Sequence, residues 1–218
     1  MFRDKLKITA KVVTPLHLGS GQVRKLDPNE TPGSTTDECA DVAIIQRDAS
    51  GKAWLSGSSL KGAFSCIAQD ATSAESFRLL FGSGGSSGRL GGGQKGLLTF
   101  YGTASKDSTV IIEQRTSINR GTGVASKNKL FSQEMVKIGA NFQLEIQLDT
   151  LTEKQRSALL QALQKMLSRV IGNDGLLLGK GKSSDFGRLA LTSEYELVSQ
   201  RFSAMGWQAS QIQTLEIA

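Results

Sequence analysis

The sequence predicts an α+β domain, a ferredoxin-like (RRM-like) antiparallel sheet with two helices on one face and insertions between its elements. Three observations predict it. Residues 5–12 and 141–148 alternate apolar and polar side chains with the period of a half-buried strand. Two other segments carry apolar residues at helical spacing behind capping signals. The order along the chain is strand, helix, strand, long excursion, strand, helix, strand. At 218 residues the chain suits one domain, large enough to bury a real core.

Taken in order, Leu6, Ile8, Ala10 and Val12 alternate with Lys5, Lys7, Thr9 and Lys11, predicting a first strand with one buried and one basic face. After Thr14-Pro15 little periodicity is visible to about Ala40, and a structureless stretch of that length is usually functional or disordered. A short apolar run, Val42 to Ile45, leads into the turn-like Asp48 to Gly51. Ser58 or Ser59 is the expected cap of a helix with Leu60, Phe64, Ile67 and Ala68 on one side, and residues 74–81 continue in helical style. Eight glycines in 82–96 make a flexible insertion that cannot bury a core. Leu97 to Tyr101 and Thr109 to Glu113 read as strands.

From Gln114 to Gly139 the chain is polar and basic, as if it projected from the main body. Phe142, Leu144, Ile146 and Leu148 then give the clearest strand. Thr152 with Gln155 forms a capping box for a helix to about Ile171, with Leu159, Leu163, Met166, Leu167 and Val170 at core spacing. A final strand, Arg188 to Val198, follows a glycine loop.

That loop, Gly172 to Arg188, holds five glycines beside Lys180, Lys182 and Arg188. Its composition suits an anion, since glycine lets successive amide groups converge on phosphate oxygens while the cations supply charge. It is not a Walker loop: five residues rather than four separate Gly175 from Gly181-Lys182-Ser183, and a helix precedes where a strand should. Gly91, Gly93 and Gly96 fit a dinucleotide fingerprint only in spacing, because a strand-like segment and not a helix follows them.

The net charge of +6 is a modest basic excess that favours a polyanionic partner. Cys39 and Cys66 are too few for a zinc motif or a disulfide framework, so reduced thiols are expected. The first residues are charged from Arg3 onward and no apolar run approaches 18 residues, which predicts no membrane span and a cytoplasmic protein.

Four elements occur in order: Thr14-Pro-Leu-His-Leu-Gly-Ser-Gly21, Leu55-Ser-Gly-Ser-Ser-Leu-Lys-Gly62, Arg120-Gly-Thr-Gly-Val-Ala125, and the glycine loop ending Asp185-Phe-Gly-Arg188. Together they resemble the RAMP superfamily of CRISPR-associated proteins, most closely the backbone subunits of type III effector complexes, over nearly the whole chain. The resemblance implies a single domain over 1–218. Its palm would span 1–14, 42–113 and 140–200, with an acidic loop at 15–41, the glycine-rich insertion at 82–96 and a thumb at 115–138. It implies that the palm binds guide RNA (crRNA) beside other effector subunits, with Ser58, Ser59, Lys61, Arg120, Lys180, Lys182 and Arg188 contacting RNA. A helix N-terminus is a fitting place for phosphate, because its first amides lack partners and carry partial positive charge.

Some members of this family cut the target RNA paired to the guide with an aspartate on a loop ahead of the Ser-Ser-Leu-Lys-Gly helix. Asp41 matches best here and Asp37 second, and either could hold Mg²⁺ or another divalent cation beside the scissile phosphate or help deprotonate a 2′-hydroxyl. The alternatives are a non-catalytic RNA-binding subunit of the same complex and a guide-processing endoribonuclease using His17, the one imidazole. A third class, a scaffold or enzyme for a small phosphorylated ligand, would neither copurify with nucleic acid nor show salt-dependent polymer binding.

Overall fold

The computed structural model describes residues 1–25, 41–83, 93–107, 109–118, 121–173, 175–179, 186–208 and 210–217. In chain order the strands before the first helix are β1 (Phe2–Val12), β2 (Gly19–Lys25), β3 (Asp41–Ile45) and β4 (Trp54–Leu55). Helices α1 (Gly57–Ala71) and α2 (Ala74–Phe81) follow, then β5 (Leu98–Phe100), β6 (Thr103–Ala104), β7 (Val110–Ile118), β8 (Ala125–Val136) and β9 (Asn141–Thr150). Helix α3 (Glu153–Gly172) precedes β10 (Leu176–Leu177), β11 (Arg188–Ser203), β12 (Gly206–Trp207) and β13 (Gln211–Glu216).

The main sheet runs β10-β11-β1-β9-β5, with β12 and β13 also paired to β11. All its pairings are antiparallel. Its even-numbered β1 side chains Leu6, Ile8, Ala10 and Val12 and β9 residues Phe142, Leu144, Ile146 and Leu148 form one core with α1 and α3. Both helices therefore cover the same face. Helix α3 starts as its capping residues predict: Thr152 Oγ1 accepts from Gln155 N–H, while the Gln155 side chain reaches back to Leu151 N–H.

A charged residue also sits on the core face. Asp4 is fully buried at the start of β1, where its carboxylate accepts hydrogen bonds from Arg156 Nε at 2.8 Å, Arg156 Nη2 at 2.9 Å and Ser199 Oγ at 2.6 Å. These hydrogen bonds with Asp4 hold the Arg156 guanidinium above the ordinary arginine value, against the opposing effect of burial. The pair ties α3 to β1 and β11.

The opposite face departs from expectation. Arg3, Lys5 and Lys7 do point away from the helices, but Arg3 pairs with Asp149, Lys5 with Glu145 and Lys7 with Glu196. The basic face of β1 is thus neutralised by carboxylates from β9 and β11. A strand's own pattern cannot reveal a neighbour's charge, and this open face is charge-matched rather than basic.

A second sheet, β2-β3-β8-β7, stands beside the first. The long aperiodic stretch of the sequence is therefore interrupted by a strand, β2, which pairs antiparallel with β3. Strands β7 and β8 form the hairpin of the polar, basic region, and β3 joins β8 in parallel through Val42 and Ala43 against Ser132 and Gln133. Two further differences concern ends. The last core strand continues to Ser203, beyond the expected Val198, and β13 returns alongside it. The centre of the glycine-rich insertion lies outside the described residues, but Ser83 N–H donates to the Gln94 carbonyl and closes its base.

Candidate nucleic-acid interface

At the carboxyl end of β1 the chain turns through Thr14 to Gly21, and two distant segments converge on it. Val13 N–H donates to the Arg188 carbonyl, Arg188 N–H to Thr14 Oγ1, Gly187 N–H to the Pro15 carbonyl and Leu178 N–H to the Gly187 carbonyl. The two ends of the glycine loop are so clasped to each other and to residues 13–15. Gly179, at φ +73°, lies so close to the His17 carbonyl that a Cβ there would fall 2.2 Å from it. That glycine packs protein against protein, whereas the sequence suggested backbone left free to meet a ligand. Lys180 and Lys182 lie outside the described residues, as do Arg120 and Asp37. Arg188 begins β11 and is partly buried.

The amino end of α1 is the third segment. Its cap is Ser56, and neither Ser58 nor Ser59: Ser56 Oγ accepts from Ser59 N–H at 3.3 Å and lies 3.1 and 2.8 Å from the Ser58 and Ser59 hydroxyls. The physical reason is Gly57. A Cβ on it would stand 2.0 Å from the Phe100 carbonyl, so only glycine lets the first helical turn begin there, one residue after the serine. Ser58 and Ser59 are exposed in that first turn, and Lys61 falls in the second turn. Gly57→Ala is expected to cost roughly 1–3 kcal/mol by overpacking. A urea titration followed by circular dichroism checks this, and a loss within error of zero would mean that the helix start shifts without strain.

These segments enclose a cavity of about 480 Å³. It is lined by His17, Leu18 and Gly19 after β1, by Ala43, Ile44 and Gln46 of the β3 segment, and by Ser59 and Gly179. His17 is buried at 4% exposure, and its Nδ1 donates to the Glu134 carbonyl at 2.7 Å. Glu134 is itself a junction: its side chain, 6% exposed, takes Arg47 at 3.0 Å, Arg24 at 3.5 Å and the Ile45 N–H at 3.2 Å. Sequence reading gave no sign of this role, because its partners come from three separate segments.

Asp41 stands apart. It opens β3 opposite Lys25, with its side chain 62% exposed and 2.8 Å from Lys25 Nζ. It does not line the cavity; Ala43, the nearest β3 residue that does, lies two positions on, about 7 Å away at strand rise. No group of three His, Cys, Asp or Glu side chains suited to a metal ion exists among the described residues. A magnesium ion is satisfied by one or two carboxylates when phosphate oxygens and water complete its shell, so Asp41 is chemically fit to supply one ligand. Among the described residues no helix is long and apolar enough to cross a membrane.

Of the four sequence elements, the structure brings parts of three together: Thr14–Gly21, the start of α1 and the described ends of the glycine loop share one end of the main sheet. A model of the family described as the RAMP superfamily matches residues 9–190, a span that contains all of them. Comparison with curated proteins returns no match.

Proposed function

The chain belongs to the RAMP superfamily, whose members carry CRISPR-associated RNA-binding roles, and from that premise we propose that it is a guide-RNA-binding backbone subunit of a type III effector complex. The observation that carries this reading is the convergence of the Thr14–Gly21 turn, the α1 amino end and the glycine loop around one cavity. Exposed serine hydroxyls and the first amides of a 15-residue helix suit phosphate there. The strand order β11-β1-β9-β5 with α1 and α3 on one face supports a ferredoxin-like palm, and the β7–β8 hairpin is the candidate thumb. Guide RNA, paired target RNA and further effector subunits are its partners in this reading, with the cytoplasm as its setting.

The same reading assigns target cutting to the acidic loop, with Asp41 first and Asp37 second. A bound Mg²⁺ would stabilise charge on the scissile phosphate. Asp41 would hold it or draw a proton from the attacking 2′-hydroxyl, and Lys25 would orient the carboxylate through their ion pair. The present pairing of Asp41 with a lysine equally suits a subunit that binds RNA without cutting it, and the cleavage assay described in the Discussion separates the two.

Purified with its cognate partners, the chain is expected to carry RNA, seen as strong absorbance at 260 nm. Its affinity should fall with salt at a log-log slope of about −0.7 per phosphate neutralised. Lys61→Ala should weaken binding by a similar factor for every guide sequence and make the slope shallower by about 0.7, since phosphate contacts carry no base information. A nucleic-acid-free complex that ignores oligoribonucleotides would remove the proposal.

A further inference from the structure

The cavity holds a polar atom that the fold leaves unused. A carbonyl can only accept, so the 2.7 Å contact with Glu134 fixes the proton of the neutral His17 ring on Nδ1 and leaves Nε2 with a lone pair. His17 is more than nine-tenths buried, yet Nε2 has no hydrogen-bond partner among the described residues. The Nε2 edge faces Gly19, where a Cβ would sit 3.1 Å away, and both residues line the cavity. The absence of a side chain at position 19 keeps that edge open to an incoming group.

We propose that His17 Nε2 accepts a hydrogen bond from the 2′-hydroxyl of a guide nucleotide seated in this cavity, so that this site distinguishes RNA from DNA. The inference rests on the guide-binding function proposed above and adds a specificity-determining residue to it. Polarity selects the donor. To the neutral ring a phosphate oxygen offers no proton and is repelled by the lone pair, whereas a ribose hydroxyl donates and is the group that RNA has and DNA lacks. The neighbours supply the rest of a nucleotide's needs. Ser59, in the first turn of α1, lies on the wall where a phosphate would rest, and Leu18, Ala43 and Ile44 offer apolar surface. The acceptor is also held in place, because the carbonyl that orients it belongs to β8, which is bonded back to Leu16 at both its Val136 N–H and C=O.

The test uses the chain assembled with its cognate partners and a guide-length oligoribonucleotide scanned by single 2′-deoxy substitutions. The wild-type assembly should lose roughly two- to tenfold in affinity at one position, or at one position per subunit repeat, which is the effect of one hydrogen bond. His17→Leu and Gly19→Ala should both lower affinity for the all-RNA oligonucleotide and abolish that positional penalty. Gly19→Ala retains the imidazole and blocks only its open edge, so it carries the test if His17→Leu loses stability. A penalty unchanged in Gly19→Ala overturns the inference, as does a penalty that follows base analogues instead of the 2′-position. Tight RNA binding with no 2′-deoxy penalty overturns the inference but leaves the guide-binding proposal standing, whereas absence of RNA binding overturns both.

Discussion

Asp41→Ala is expected to leave guide binding and assembly intact while target cutting falls by roughly 10²- to 10⁴-fold, the range contributed by a positioned acid–base group. The structural cost of the change is small. Asp41 is exposed at the end of the β2–β3 ladder, and its ion pair with Lys25 is a surface pair worth about 0–1 kcal/mol. A large loss of rate would therefore report chemistry and not folding. The measurement is single-turnover cleavage of a labelled complementary RNA by the assembled complex with Mg²⁺ present and then chelated. Retained cutting in Asp41→Ala with loss in Asp37→Ala would move the role to Asp37. If both variants cut normally, the active loop belongs to a different subunit and this one binds without cutting.

The second large effect concerns stability. Arg156→Leu removes the one cationic partner that a fully buried carboxylate has among the described residues, leaving Asp4 there with the Ser199 hydroxyl. Removing one partner of a buried pair costs roughly 3–5 kcal/mol, because an uncompensated charge remains in a poorly solvated place. The double variant Asp4→Leu with Arg156→Leu should recover much of that loss, since two apolar side chains leave no stranded charge. Chemical denaturation of the single and double variants gives the coupling directly. A single-variant loss below about 1 kcal/mol, the scale of a surface pair, would show that water reaches Asp4 and that the bond is not structural.

Local periodicity made the central elements legible. Strands β1 and β9 alternate cleanly, and α3 announces itself through Thr152 and Gln155, because in each case the information lies within a dozen residues. What required distant partners was not legible. Strand β2 reads GSGQVRK, almost wholly exposed and without alternation, and is held by pairing with β3 and by Ser20 Oγ donating to the Ile44 carbonyl. The sequence suggested Ser58 or Ser59 as the helix cap, whereas the choice of Ser56 depends on the distant Phe100 carbonyl pressing on Gly57. Likewise, the cations of β1 seemed free because Glu145, Asp149 and Glu196 come from elsewhere in the chain.

At the candidate site, the family resemblance singled out four segments, of which three meet, but not what each contributes. Glycine content suggested a ligand cradle, while Gly179 also serves to seat the loop on His17. His17 itself gave no signal beyond being the lone imidazole, since its fixed tautomer depends on a main-chain oxygen 117 positions away.

The β7–β8 hairpin divides into two territories with different freedom to drift. Its root, Ser132 to Val136, is buried to the last residue and touches Leu16, His17, Arg24, Ile45 and Arg47, whereas residues 121–124 at the far end are exposed. Evolution, or an engineer, can therefore rewrite the tip to suit a different neighbour while the root stays frozen. A library randomised at 121–124 should yield mostly folded proteins, and one randomised at 132–136 almost none.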